Sequence, residues 1–242
     1  MLLNCDLGES FGSWTMGEDE LAMAHIDLAN IACGFHGGDP LVMQRTLALA
    51  KQYGVRIGAH PSYPDRQGFG RRSMALSPTE LIADLHYQIA ALTGMAKVQG
   101  LQVEYVKPHG ALYNDMMANE SVFVSVLQAI TQYDSSLKLM ILAGNNTENY
   151  SELAAKQGIS LLLEAFADRR YTDVGTLTPR NQAGSVLTKA EMLEQVQQLV
   201  SEGTVQTQGG QTLPLKADTL CVHGDNLEAV NAIIEIRALC AR

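Results

Sequence analysis

Histidine, aspartate, glutamate and lysine recur at one kind of place in this chain: the downstream ends of short apolar runs. Residues 1–5 carry Asn4 and lead into Asp6 and Glu9. Residues 28–32 carry Asn30 and lead to His36-Gly37-Gly38-Asp39. Residues 55–59 are followed by His60-Pro61-Ser62-Tyr63-Pro64-Asp65, and residues 103–107 end on Lys107, with His109, Tyr113 and Asn114 just beyond. Residues 160–164 end on Glu164, with Asp168, Arg169 and Tyr171 following, and residues 219–222 run into His223-Gly224-Asp225. Only the run 137–142 ends without such a cluster. Four of the six histidines (His36, His60, His109 and His223) therefore follow apolar runs, whereas His25 and His86 fall in helical segments.

Two kinds of chemistry fit these residue types. Histidines with Asp6 could hold a divalent metal that activates water for amide hydrolysis. Without a metal, a histidine or carboxylate would act as general base while Lys107 stabilises a developing oxyanion. No HExxH or comparably tight spacing is present, so the sequence assigns no metal ligands. The expected catalytic group is Asp6, His36, His60, Lys107, His109, Glu164 and His223. Asn4, Glu9, Asn30, Tyr63, Tyr113 and Asp168 are expected around the substrate, with Arg71, Arg72 and Arg169 taking a carboxylate, since guanidinium matches it bidentately. Several residues also have a plainer role. Asp39 and Asp225 suit helix N-caps, Glu9 and Asp65 suit solvated loops, and the glycine- and arginine-rich stretch 63–72 suits either a closing loop or a mobile one. Asp6, Lys107 and Glu164 are harder to explain structurally, because a charge at the end of a buried strand needs a partner or a purpose.

The elements that position these groups follow from periodicity. The seven apolar runs alternate with stretches of helical spacing, the pattern of βα units on a parallel sheet. Ser77-Pro78-Thr79-Glu80 and Thr188-Lys189-Ala190-Glu191 read as capping boxes, Asp39-Pro40 opens a helix running to about Tyr53, and Asp225-Asn226 opens the last. Residues 205–215, turning at Gln208-Gly209-Gly210-Gln211, suggest a short antiparallel hairpin added to the sheet edge. A doubly wound sheet would place GxGxxG after the first strand, but Asp6-Leu7-Gly8-Glu9-Ser10-Phe11-Gly12 stands there. Polar groups at nearly every strand end suit a β/α barrel whose loops build one site. A length of 242 residues with no linker-like stretch points to a single barrel domain, 1–242.

Composition narrows the partners. Twenty-six acidic against 17 basic residues give a net charge of −9, which repels a nucleic-acid backbone. The start lacks a basic signal-peptide region, no apolar run is long enough for a membrane span, and Cys5, Cys33, Cys221 and Cys240 form no CxxC pair. A reduced, cytoplasmic protein is expected. No GxxxxGK[ST] phosphate loop is present.

Taken in order, Asn4-Cys5-Asp6-Leu7-Gly8-Glu9, Asn30-Ile31-Ala32-Cys33-Gly34-Phe35-His36-Gly37-Gly38-Asp39-Pro40, His60-Pro61-Ser62-Tyr63-Pro64-Asp65, Gly68-Phe69-Gly70-Arg71-Arg72, Lys107-Pro108-His109-Gly110, Glu164-Ala165-Phe166-Ala167-Asp168-Arg169 and His223-Gly224-Asp225 resemble the LamB/YcsF lactam-utilization family. The series spans nearly the whole chain; Gly37, where the family often has alanine, is the one departure noted. The resemblance implies a seven-stranded β/α barrel of the deacetylase type. It also implies ATP-dependent opening of the cyclic amide 5-oxo-L-proline to L-glutamate, within a multi-subunit 5-oxoprolinase that includes subunits B and C. The absence of a phosphate loop suits partners that handle the ATP. The alternatives are a metal-dependent deacetylase and a non-catalytic, substrate-presenting subunit.

Overall fold

The computed structural model describes residues 1–224 and 227–241, so the cap expected at Asp225 lies outside the described residues. Among the described residues nine strands form, β1 (Leu2–Leu7), β2 (Leu28–Ala32), β3 (Arg56–His60), β4 (Val103–Val106), β5 (Lys138–Leu142), β6 (Leu161–Phe166), β7 (Thr204–Gln206), β8 (Thr212–Pro214) and β9 (Thr219–His223). Seven of them close into a parallel barrel in the order β1-β2-β3-β4-β5-β6-β9, with β9 pairing β6 on one side and β1 on the other. This is a TIM-like β/α barrel, and its connections carry α1 (Asp19–Met23), α2 (Pro40–Tyr53), α3 (Pro78–Gln99), α4 (Gly110–Ala118), α5 (Glu120–Asp134), α6 (Thr147–Lys156) and α7 (Lys189–Glu202). Two short helices, α8 (Leu227–Asn231) and α9 (Ile233–Cys240), follow the last strand.

The helices start where their caps dictate. The Asp39 side chain accepts from Leu41 N and Val42 N, with Pro40 at the first helical position. Ser77–Glu80 and Thr188–Glu191 are complete capping boxes. His25, expected in a helix, falls in the turn after α1. Among the described residues no helix is long and apolar enough to cross a membrane.

The strands run further than their apolar stretches. β1 and β6 continue to Leu7 and Phe166, and β3 and β9 to the histidines His60 and His223. The ladder explains the extension, because Asp6 pairs with His223 and Ala32 with His60 through the backbone, whatever the side chain. The hairpin of β7 and β8 is present but is a separate two-stranded sheet. A closed barrel offers no edge to extend. The hairpin instead meets the long excursion after β6, where Gln208 N donates to Tyr171 O at 2.7 Å.

Side chains alternate across the barrel wall with period two. Leu3, Cys5 and Leu7 join the large core beneath the helices. The intervening Leu2 joins Leu28, Tyr105, Met140 and Leu162 in a small apolar plug inside the barrel. One step up the same strands stand Asn4, Asn30, Lys107 and Glu164, so the plug is a dry floor under a polar layer. Tyr105 links the two. Its ring lies against Gly58, its register partner, and its hydroxyl donates to Asn30 Oδ1 at 2.7 Å.

Candidate active site

Three layers stack upward at the C-terminal end of the barrel. The lowest is a buried ammonium network. Lys107 Nζ donates to Asp6 Oδ1 at 2.9 Å and Asn4 Oδ1 at 3.3 Å, and lies 3.1 Å from Glu164 Oε2 and from Cys221 Sγ. Asn30 Nδ2 donates to Asp6 Oδ1 at 2.7 Å and Asn4 Oδ1 at 2.8 Å. All these side chains are buried, Glu164 and Lys107 almost completely. Burial opposes charge on Lys107, but Asp6, Cys221 and Glu164 outweigh it and hold the ammonium well above the usual lysine range. Burial likewise opposes the Asp6 carboxylate; His60 and Lys107 overcome it and keep Asp6 well below the usual range. A lysine fixed as a cation in a dry pocket is a preorganised electrostatic group.

The middle layer is a cluster of imidazoles around Glu9. His36 Nε2 lies 3.0 Å from Glu9 Oε1, His109 Nδ1 lies 3.3 Å from it, and His60 Nε2 3.9 Å. His60 Nε2 is also 3.0 Å from His109 Nδ1 and 3.5 Å from Asp6 Oδ2. The rings of His36 and His109 stack at 3.7 Å and an interplanar angle of 2°, and His60 stands at 90° to both. Burial pushes both His36 and His109 well below the usual histidine range, and the neighbouring imidazoles add to the effect.

The stretch 63–72 is held by hydrogen bonds within itself and to the imidazole cluster. The Asp65 carboxylate is buried at its centre and accepts from Gly68 N at 3.0 Å and Arg72 Nε at 2.9 Å. Phe69, at φ 53°, aims its carbonyl at His109 Nε2, 2.9 Å away. Gly70 follows at φ 63°, and a Cβ there would sit 2.8 Å from both His109 Cδ2 and His36 Cβ. Gly70→Ala is therefore expected to tilt both imidazoles, at a cost of about 1–2 kcal/mol. Thermal unfolding should show a midpoint about 5 °C lower. An unchanged midpoint and unshifted imidazole NMR resonances would count against this close fit.

The top layer is a cavity of about 660 Å³, lined in part by Arg71 of the loop 63–72 and by Arg169 and residues 176–181 of the excursion after β6. Asp6, Glu9, His60, Lys107, His109 and His223 reach its wall from below, and Tyr113, Arg71 and Arg169 from the side. Arg169 is buried, with Nη2 donating to Thr178 O at 2.6 Å, and burial beside Arg180 lowers its guanidinium to about 10. Arg180, which sequence reasoning did not single out, also lines the cavity and completes a cationic rim with Arg71 and Arg169. Its signal was only that of one more arginine in a polar loop.

Other expected site residues stand behind the wall. Asn4 and Asn30 position Asp6 and Lys107, Glu164 backs Lys107, and His36 backs Glu9. Asp168 is buried and accepts from His223 Nδ1 at 2.8 Å, which fixes that ring against Phe166. Tyr63 donates to Asp115 Oδ2 at 3.0 Å beneath the loop. Arg72 does not line the cavity; its side chain pairs with Asp65 and is otherwise 64% exposed, so it braces the loop. The solvated-loop role considered for Glu9 and Asp65 is overturned by their burial.

The profile of the LamB/YcsF family matches residues 1–242. The chain belongs to the LamB/YcsF family. LamB/YcsF relatives include the 5-oxoprolinase A-subunit of Vibrio cholerae, 53% identical over 237 residues that cover 98% of this chain and 96% of that protein. The second 5-oxoprolinase A-subunit of Pseudomonas putida is also 53% identical, covering 98% and 92%. Among solved structures, the lactam utilization protein of Thermus thermophilus superposes with a TM-score of 0.90 at 40% identity, covering 100% of this chain and 97% of that one.

Proposed function

We propose that this chain is the component of an ATP-dependent 5-oxoprolinase in which the lactam of 5-oxo-L-proline is opened to L-glutamate. The observation that carries the reading is a cavity with a cationic rim above a buried ammonium and an imidazole cluster, in a chain 53% identical to a protein named as the A-subunit of 5-oxoprolinase. 5-Oxoproline carries one carboxylate and one lactam carbonyl. Arg71, Arg169 and Arg180 offer the carboxylate its counter-charge. The carbonyl end then points toward Lys107 and the histidines.

In the proposed reaction a water oxygen bonds to the lactam carbonyl carbon, and the water proton passes to the histidine–Glu9 cluster. Charge developing on the carbonyl oxygen faces the Lys107 ammonium. The ring C–N bond then breaks, and the nitrogen takes a proton to become the glutamate amine. A five-membered lactam is stable, and ATP supplies the driving force. The sequence has no phosphate loop of its own, so ATP is assigned to partner subunits B and C, which activate the lactam before or during attack.

The test is glutamate release from 5-oxoproline and ATP by the chain alone, by the chain with subunits B and C, and by its His109→Ala form with the same subunits. Release only in the complete mixture, falling about 100-fold or more with His109→Ala, is expected for loss of a general acid–base group. Full activity of His109→Ala would overturn the site, and no release in any mixture would overturn the reaction.

A further inference from the structure

The hydrogen bonds on the far side of the imidazole cluster determine what faces its centre. His60 Nδ1 lies 2.7 Å from Lys107 O, and His109 Nε2 lies 2.9 Å from Phe69 O. A carbonyl oxygen only accepts, so each of these nitrogens carries the proton. In the neutral rings the opposite nitrogens, His60 Nε2 and His109 Nδ1, are then bare lone pairs, and they face each other at 3.0 Å. Glu9 Oε1, an acceptor too, lies 3.3 Å from one and 3.9 Å from the other. Three acceptors converge with no hydrogen among them. Such a triangle is repulsive unless a positive charge, a metal ion or a proton on His60 Nε2, sits in it, and a positive charge there accords with the lowering of Asp6 from the His60 side.

We propose that Glu9, His60 and His109 form a binding site for one divalent first-row transition ion of the zinc type. Their mutual distances of 3.0, 3.3 and 3.9 Å bracket the edge of about 3.4 Å that a tetrahedron with ligands about 2.1 Å from its metal requires. Two imidazoles and one carboxylate form a donor set that suits zinc. Each histidine also gives its outer N–H to a backbone carbonyl, the arrangement that fixes the tautomer of a metal ligand. All three residues reach the cavity wall, so a fourth position opens toward bound water or substrate.

His36 belongs to the group that could surround an ion, but it is an orienting residue. Its ring is stacked parallel to His109, so the in-plane lone pairs of the two rings cannot both point at one ion. It donates instead from Nε2 to Glu9 Oε1 at 3.0 Å and fixes the carboxylate. The site rests on donor geometry; with the ion bound, His60, His109 and Glu9 would hold it instead of accepting the water proton, and the ion would supply the activation of water that the proposed reaction otherwise asks of the cluster.

The experiment uses the full chain freed of metal by chelator dialysis, then titrated with Zn²⁺ by calorimetry and with Co²⁺ by visible absorption. One ion per chain is expected, with Co²⁺ giving the intense bands of a tetrahedral site. His60→Ala and His109→Ala should each weaken Zn²⁺ by more than about 100-fold, and His36→Ala by about 10–100-fold, as for loss of a ligand's orienting partner. His25→Ala, remote from the cluster, should leave affinity unchanged, and circular dichroism verifies the fold of each variant. Failure of the unaltered chain to retain Zn²⁺ or Co²⁺ would overturn the site without reference to any variant. Unchanged affinity in folded His60→Ala would do the same, as would a shift of the His60 and His109 resonances by protons alone. Because no substrate enters the measurement, its outcome is separate from that of the glutamate assay.

Discussion

Lys107→Met is expected to abolish turnover and to destabilise the fold by about 3–5 kcal/mol, the range for removing one partner of a buried ion pair. The methionine fills much of the same space, so packing is not the cause. What is lost is the cation that Asp6 and Glu164 face from 2.9 and 3.1 Å in a layer almost sealed from water. Asp6 would keep Asn30 as a donor but lose the Lys107 charge that helps to hold it ionised. Chemical denaturation and the glutamate assay read the two effects separately. Wild-type stability together with wild-type turnover would show that the ammonium is neither a keystone of the polar layer nor part of the reaction. Restoring the charge with Lys107→Arg should recover some stability but little activity, because a planar guanidinium cannot occupy the point at which the Lys107 amine meets four acceptors.

The second large effect lies one layer down. A Cβ at Gly58 would collide with Cε2 of Tyr105, whose ring is fixed in the plug between neighbouring strands. Gly58→Ala should therefore cost about 3 kcal/mol, the upper end for overpacking a filled core, and lower the melting temperature by about 10 °C. Activity should fall further than stability explains, since displacing Tyr105 frees Asn30 and, through it, Asp6. Pairing Gly58→Ala with Tyr105→Val should recover part of the melting temperature, a coupling that a double-mutant cycle measures, and none of the turnover. Strictly additive effects would mean that the ring and the glycine do not meet.

Most of the frame is legible in the sequence, for a physical reason. Parallel strands covered on both faces are apolar runs, and helices announce themselves through caps such as Ser77–Glu80, so each barrel strand is locatable to within two residues. The polar strand ends were legible for the same reason: Asp6, Lys107 and Glu164 stand out because apolar neighbours surround them. What could not be read is anything set by closure. Glu9, His60 and His109 meet only after three separate βα units pack side by side, and no local spacing encodes that. Arg72 resembles Arg71 in sequence and differs in which side of the loop it faces, a matter decided by the buried Asp65. Arg180 needed the folded excursion after β6 to reach the rim. The hairpin was legible as a hairpin, but its place was not, because a barrel without edges sends it elsewhere.

The closure strand sets a condition on synthesis. β9 lies between β1 and β6 and pairs residues more than two hundred positions apart, such as Leu2 with Thr219. A ribosome-bound chain that has not yet released residues 219–223 therefore has two raw edges, at β1 and at β6, and an unplugged seam beside Lys107. Such edges recruit other strands, so the interval before the last strand emerges is the period of greatest exposure to misassembly. It also makes the site an all-or-none product. Asp6 is made more than two hundred residues before Cys221, yet both contact the same ammonium, so the polar layer cannot be assembled in stages.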